Sequence, residues 1–153
     1  MEVLGDADNL SLKIRSIIAH AYIQRRRYPE AHNMVNYVYQ VFRQKSGDNH
    51  VDTLTTLGTL AQIHFYRDEW QLAEKRYLQI LGGMEGKDSP DYAIVLGNLA
   101  SVYFAQGAYV NAVDCAERAY THQRAQCGKT HRLTVLAREK LERYQGVANA
   151  PTV

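Results

Sequence analysis

Histidine and cysteine are the residues here best suited to hold a metal or begin a nucleophilic reaction, and their spacing supports neither. His20, His32, His50, His64, His122 and His131 stand at no ligand spacing with cysteine or carboxylate. No pair makes the H-E-x-x-H pattern that sets two imidazoles on one helical face. Cys115 and Cys127 fall in one expected helix. At ~1.5 Å rise per residue they are about 18 Å apart, far beyond disulfide reach. There is no glycine-rich phosphate loop and no nucleophile motif. The expectation is a non-enzyme with no metal site and no cofactor. Two unpaired thiols and an N-terminus without a cleavable signal fit the cytoplasm.

What remains are side chains that could hold another molecule by packing and hydrogen bonding. Thr53–Tyr66 and Tyr92–Gln106 carry no charged residue, whereas the helices expected after them carry Glu74-Lys75-Arg76 and Asp114, Glu117-Arg118. The charge-free run continues to Val113, 22 positions in all, which is long enough to cross a bilayer. Asn98, Ser101, Gln106, Gly107 and Asn111 interrupt it, so no membrane association is expected. Lys plus Arg is 18 against Asp plus Glu at 16, and a net charge of +2 gives no drive toward nucleic acid. Arg25-Arg26-Arg27 suits the negative end of a helix dipole.

The elements that position these residues repeat. Leu57–Ala73 and Leu96–Ala112 coincide at Leu57/Leu96, Gly58/Gly97, Leu60/Leu99, Ala61/Ala100, Phe65/Phe104, Trp70/Tyr109 and Ala73/Ala112, an offset of 39 (96 − 57). A weaker copy, Ile18-Ala19, Tyr22, Tyr28 and Ala31, precedes at an offset of 42 (60 − 18). A fixed period in this range marks stacked helical hairpins, none of which can bury its apolar stripe alone. Small residues at Ala19, Ala61, Ala100 and at Ala31, Ala73, Ala112 would let helices cross closely. Tyr28, Trp70 and Tyr109 would fill the space between neighbours.

Apolar spacing and cap signals predict seven helices. They run from Asn9 or Ser11 to the arginine triplet, Tyr28 to about Lys45, Val51–Tyr66, Trp70–Met84, Ser89-Pro90-Asp91 to about Gln106, Tyr109–Gln126 and His131–Gln145. The domain reading is a lead-in at 1–8, repeats at about 9–47, 50–86 and 89–127, a capping helix at 131–145, and a flexible tail at 146–153.

The order Leu96, Leu99-Ala100, Tyr103, Gly107, Tyr109, Ala112, Ala116, Ala119 resembles a tetratricopeptide repeat. The 39–42 spacing, the boxes at 57–61 and 96–100, and the starts at His50–Leu54 and Ser89–Asp91 resemble its kinesin-light-chain branch. The resemblance spans about residues 10–145. It implies an all-α, right-handed α-solenoid and a protein–protein interaction module, an adaptor or scaffold that takes a partner peptide or helix in a concave groove. The alternative is a structural, self-associating component of a larger assembly.

In such repeats the first helix of each pair lines the groove. That places Lys13, His20, Thr59, Gln62, Phe65, Tyr66, Asn98, Ser101 and Phe104 there, with Phe65 and Phe104 as aromatic platforms and Gly58 and Gly97 as points of close backbone approach. Burial of these helices by neighbours on both sides is the alternative explanation of their neutrality. His64, at the Tyr22/Tyr103 position, reads as a packed, hydrogen-bonded core residue. Arg138, Lys140 and Arg143 read as a solvated face, or as the one end at which an acidic ligand could be met.

Overall fold

The computed structural model describes residues 9–85 and 89–151, and every regular element among them is an α-helix. In chain order these are α1 (Asn9–Gln24), α2 (Tyr28–Ser46), α3 (Val51–Tyr66), α4 (Trp70–Met84), α5 (Asp91–Ala105), α6 (Tyr109–Cys127) and α7 (Arg132–Ala148). The expected lead-in at 1–8 and the loop Gly86-Lys87-Asp88 lie outside the described residues, as do the last two positions of the expected tail. Where a flexible tail is expected from residue 146, α7 instead continues through Gly146 to Ala148. Leu141 and Tyr144, both buried, anchor that turn against the ~1 kcal/mol that a helical glycine costs.

The three hairpin turns are built alike. Arg26, Asp68 and Gly107 each take a left-handed conformation, with φ of 57°, 59° and 77°. The next residue's N–H then reaches back to close the helix: Arg27 to Tyr22 O at 2.9 Å, Glu69 to His64 O at 3.0 Å, Ala108 to Tyr103 O at 2.9 Å. This is the Schellman closure, which satisfies carbonyls that a helix end leaves orphaned. The six alanines expected at crossings, Ala19, Ala61, Ala100, Ala31, Ala73 and Ala112, are all fully buried. Tyr109 is not: it is 39% exposed, because it opens α6 at the surface and leans on Phe104 instead.

The chain divides into two compact units that part between Arg76 and Tyr77, within α4. In the first unit α2 packs on both α1 and α3. Leu12, Val38 and Val41 form one buried cluster there, with Tyr37 and Phe42 against them. In the second, α6 packs on both α5 and α7.

The units repeat each other in detail at an offset of 81 (109 − 28). α2 and α6 each have 19 residues and start 81 apart. Each is closed by a glycine, Gly47 or Gly128, whose N–H bonds Arg43 O or Arg124 O at 3.0 Å. α3 and α7 are each capped by a histidine, His50 or His131, whose Nδ1 accepts the N–H two residues on at 3.3 Å. The last helix, expected as a cap, is therefore the register equivalent of α3 and has the build of a repeat's opening helix.

Candidate partner-binding site

Each unit holds a hollow between its two first-type helices, α1 and α3 in one and α5 and α7 in the other. The hollow of the first unit is about 700 Å³ in volume. One wall is α1, with Lys13, Ser16, Ile17 and His20. Asp52, Thr55 and Thr56 of α3 face it, and Phe42 of α2 closes one end. Its polar side chains are oriented from within. His20 Nδ1–H donates to Ser16 O at 3.1 Å, Ser16 Oγ to Leu12 O at 3.0 Å, Thr55 Oγ1 to Val51 O at 2.8 Å and Thr56 Oγ1 to Asp52 O at 2.7 Å. Hydroxyls bonded to the preceding turn keep their lone pairs for a ligand. Lys13 and Asp52 put opposite charges on opposite walls.

The second unit has the same hollow in the same register. Ala93, Ile94, Gly97 and Asn98 stand where Leu12, Lys13, Ser16 and Ile17 do, and Leu133, Leu136 and Ala137 replace Asp52, Thr55 and Thr56. It is about 180 Å³, because Lys140 occupies it. The Lys140 ammonium donates to Gly97 O and to Ser101 Oγ, each at 3.1 Å. Tyr144 OH donates to the same Ser101 Oγ at 3.2 Å, and Ser101 Oγ–H donates to Gly97 O at 3.1 Å. Tyr144 also stacks on Phe104, centroids 4.4 Å apart and planes at 13°. Burial pushes the Lys140 pKa below the usual lysine range, with Arg143 adding to the effect. Lys140 thus turns inward rather than joining a solvated face, because apolar Leu133, Leu136 and Ala137 let its stem run between helices. Its register equivalent in the first unit is Thr59, too short to cross, and that hollow stays open.

The nine expected groove residues therefore divide. Lys13 and His20 line the open hollow, and Thr59 lies half-buried on α3, its Oγ1 donating to Thr55 O at 3.4 Å. Gln62 and Phe65 are half-buried, with Phe65 edge-on to Tyr66, and Tyr66 stacks on Tyr28 at 5.8 Å. Asn98 lines the smaller hollow, where Ser101 and Phe104 are engaged by α7. What approaches Gly97 is an ammonium of the chain itself, 3.9 Å from where a Cβ would stand. Phe42, Asp52 and Thr56 were not legible as site residues. The signal that finds Asp52 and Thr56 is the 81-residue register, by which the opening of α3 corresponds in sequence to that of α7. Elsewhere, His64 is the core residue its position implied: buried, with Nδ1–H donating to Glu69 Oε2 at 2.6 Å.

Repeated helical hairpins with small crossing residues and a shared turn closure define a helical-repeat protein of the class that mediates protein–protein contacts. The sequence profile described as Tetratricopeptide repeat matches residues 10–86, half of the chain, and the chain belongs to that family. No curated protein matches the sequence. Among solved structures, the chain is similar to a singly substituted form of a Podosopora anserina protein assigned as a kinesin light chain with nearly identical TPR-like repeats. The TM-score is 0.80 at 19% identity, over 96% of this chain and 71% of that one. Another structure of that P. anserina protein gives 0.77 at 18%, with the same coverage. BtubC (BKLC) from P. vanneervenii gives 0.66 at 18%, over 95% and 67%. These likenesses are to the fold, that of all-α repeat solenoids of the kinesin-light-chain type. No helix among the described residues is long and apolar enough to cross a membrane.

Proposed function

We propose that this chain is an adaptor-type interaction module that receives a segment of a partner protein in the hollow between α1 and α3. The observation that carries the reading is the contrast between two hollows in one register: Lys140 fills the second, and no described residue of the first unit fills its counterpart. The open hollow offers apolar contact at Ile17 and Phe42 beside hydroxyls, a cation and a carboxylate. This mixture suits an extended or helical peptide, whose own polar groups need partners as it is desolvated.

The test is capture of partners from cell extract by the intact chain and by Thr55→Arg, which puts a guanidinium into the hollow from an exposed position. Partners retained by the wild type and lost by a Thr55→Arg variant with an unchanged melting curve support the reading. A folded Thr55→Arg chain that keeps every partner of the wild type overturns it.

A further inference from the structure

A second surface, separate from the hollow, has the character of a docking site. Helix α1 is apolar on two opposite sides. Leu12, Ala19 and Ile23 are buried in its own hairpin. On the far side Ile14, Ile18, Ala21 and Arg25 fall within about 60° of one another at ~100° per residue. Ile14 is 47% exposed and Ile18 40%, with Leu10 extending the stripe by a turn.

Register shows what such a face is built for. The equivalents of Ile18 are Leu60 in α3, Leu99 in α5 and Leu141 in α7, exposed by only 1%, 2% and 8%. The equivalents of Ala21, namely Ile63, Val102 and Tyr144, are likewise buried. In α3 and α7 the edge of this face touches the end of the preceding second-type helix. Thr53 Oγ1 donates to Gly47 O beyond α2 at 2.8 Å, and Thr134 Oγ1 to Gln123 O in α6 at 3.3 Å. A helix seated as α2 sits on α3, and as α6 sits on α7, is what those two first helices have on this side.

The charges around the stripe specify that helix further. From Asn9 to Arg27 there are five cations, Lys13, Arg15, Arg25, Arg26 and Arg27, and no acid. Arg27 is held by Glu30 at 2.6 Å and Arg15 lies over the Tyr37 ring at 4.7 Å. Arg25 and Arg26 are exposed and end the stripe, whereas Lys13 turns to the hollow. We infer that the outer face of α1 docks an acidic amphipathic helix of a partner protein. Its apolar residues cover Ile14 and Ile18, and its carboxylates meet Arg25 and its neighbours. An acidic helix gains both the apolar contact and favourable charge, whereas a basic one is repelled.

The probes are two synthetic helical peptides as long as α2 with one leucine stripe, flanked by Glu in one and by Lys in the other. Binding to the intact chain is read by fluorescence anisotropy. The Glu peptide is expected to bind at least about tenfold tighter than the Lys peptide, which corresponds to ~1.4 kcal/mol, and to weaken with added salt. The double variant Ile14→Glu/Ile18→Glu, changed only at exposed positions, is expected to lose about tenfold or more, and Arg25→Glu several-fold. Thr55→Arg is expected to leave binding unchanged, so failure here and failure of the hollow are separable. Equal binding of the two peptides, or a folded double variant that binds like the wild type, overturns the proposal. So does preferential binding to phosphatidylserine-containing vesicles with no binding of the Glu peptide. A dimer in sedimentation that the double variant abolishes overturns it in favour of a second copy of the chain.

Discussion

Single side chains decide which clefts of this chain are open, and two side chains, Lys140 and His32, make pH-dependent predictions. Lys140 donates to Gly97 O and Ser101 Oγ from a partly desolvated position that holds its pKa below 10.5. The folded chain therefore gives up this proton at lower pH than the unfolded chain does. As pH rises toward 10.5 the unfolded state binds more protons, and stability gains from this group. Lys140→Met keeps the stem and removes the charge. Urea unfolding across the alkaline range is expected to show the wild type gaining on the variant as pH rises, with no such gain near neutrality. His32 behaves alike at the other end. Burial, then His64 and Arg67, lowers its pKa below 6.5, with Glu69 opposing; its ring stands 5.3 Å from that of His64. The contribution is present above 6.5 and lost as pH falls through the lower folded value. His32→Gln is expected to flatten that acid-side loss in the same measurement.

At the scale of the element, the hairpin turn is the feature most strictly repeated and the one whose sequence varies most. Arg26, Asp68 and Gly107 hold one backbone conformation, and only glycine does so without a Cβ penalty. Arg26→Gly is expected to raise stability by about 0.5–1 kcal/mol, and Gly107→Ala to lower it by about 1 kcal/mol. Thermal or denaturant melts of the two variants check both signs. A loss of stability in Arg26→Gly would mean that loop entropy outweighs the relief of strain. These helices were legible because apolar spacing, caps and punctuation agree: Val51–Tyr66 and Trp70–Met84 match the observed bounds at both ends. The end of α7 was not, because Gly146 signals a stop that tertiary anchoring at Leu141 and Tyr144 overrides. The inward turn of Lys140 was not legible either. A lysine among Arg138 and Arg143 looks solvated until Gly97, 43 residues away, supplies its acceptor.

At the scale of the whole molecule, the chain is one pattern written twice with different side chains in the clefts. The family and the all-α repeat fold followed from small residues at fixed offsets, since close crossings restrict what can stand there. The hollow was legible only in part. Lys13 and His20 line the open hollow, but nothing local distinguishes Ser101 and Phe104, which α7 engages, from their counterparts His20 and Ile23. Only the partner helix distinguishes them, and its contribution turns on one position. Thr59 and Lys140 are register equivalents, 81 apart (140 − 59), so the second unit specifies how the first can be closed. In Thr59→Lys the new ammonium is expected to reach across to Ser16 O and the His20 ring, as Lys140 reaches Gly97 O and Ser101. Thr59 is only half-buried, so the added stem has a route to the hollow without a core rearrangement. If the hollow is the binding site, partner affinity is expected to fall by about tenfold or more, or ~1.4 kcal/mol. Lys140→Thr, which opens the other hollow, is expected to leave that affinity unchanged. Titration of a captured partner against both variants checks the pair. An unaltered affinity in a folded Thr59→Lys chain would move the binding site away from the hollow. A loss in Lys140→Thr instead would place it on the second unit.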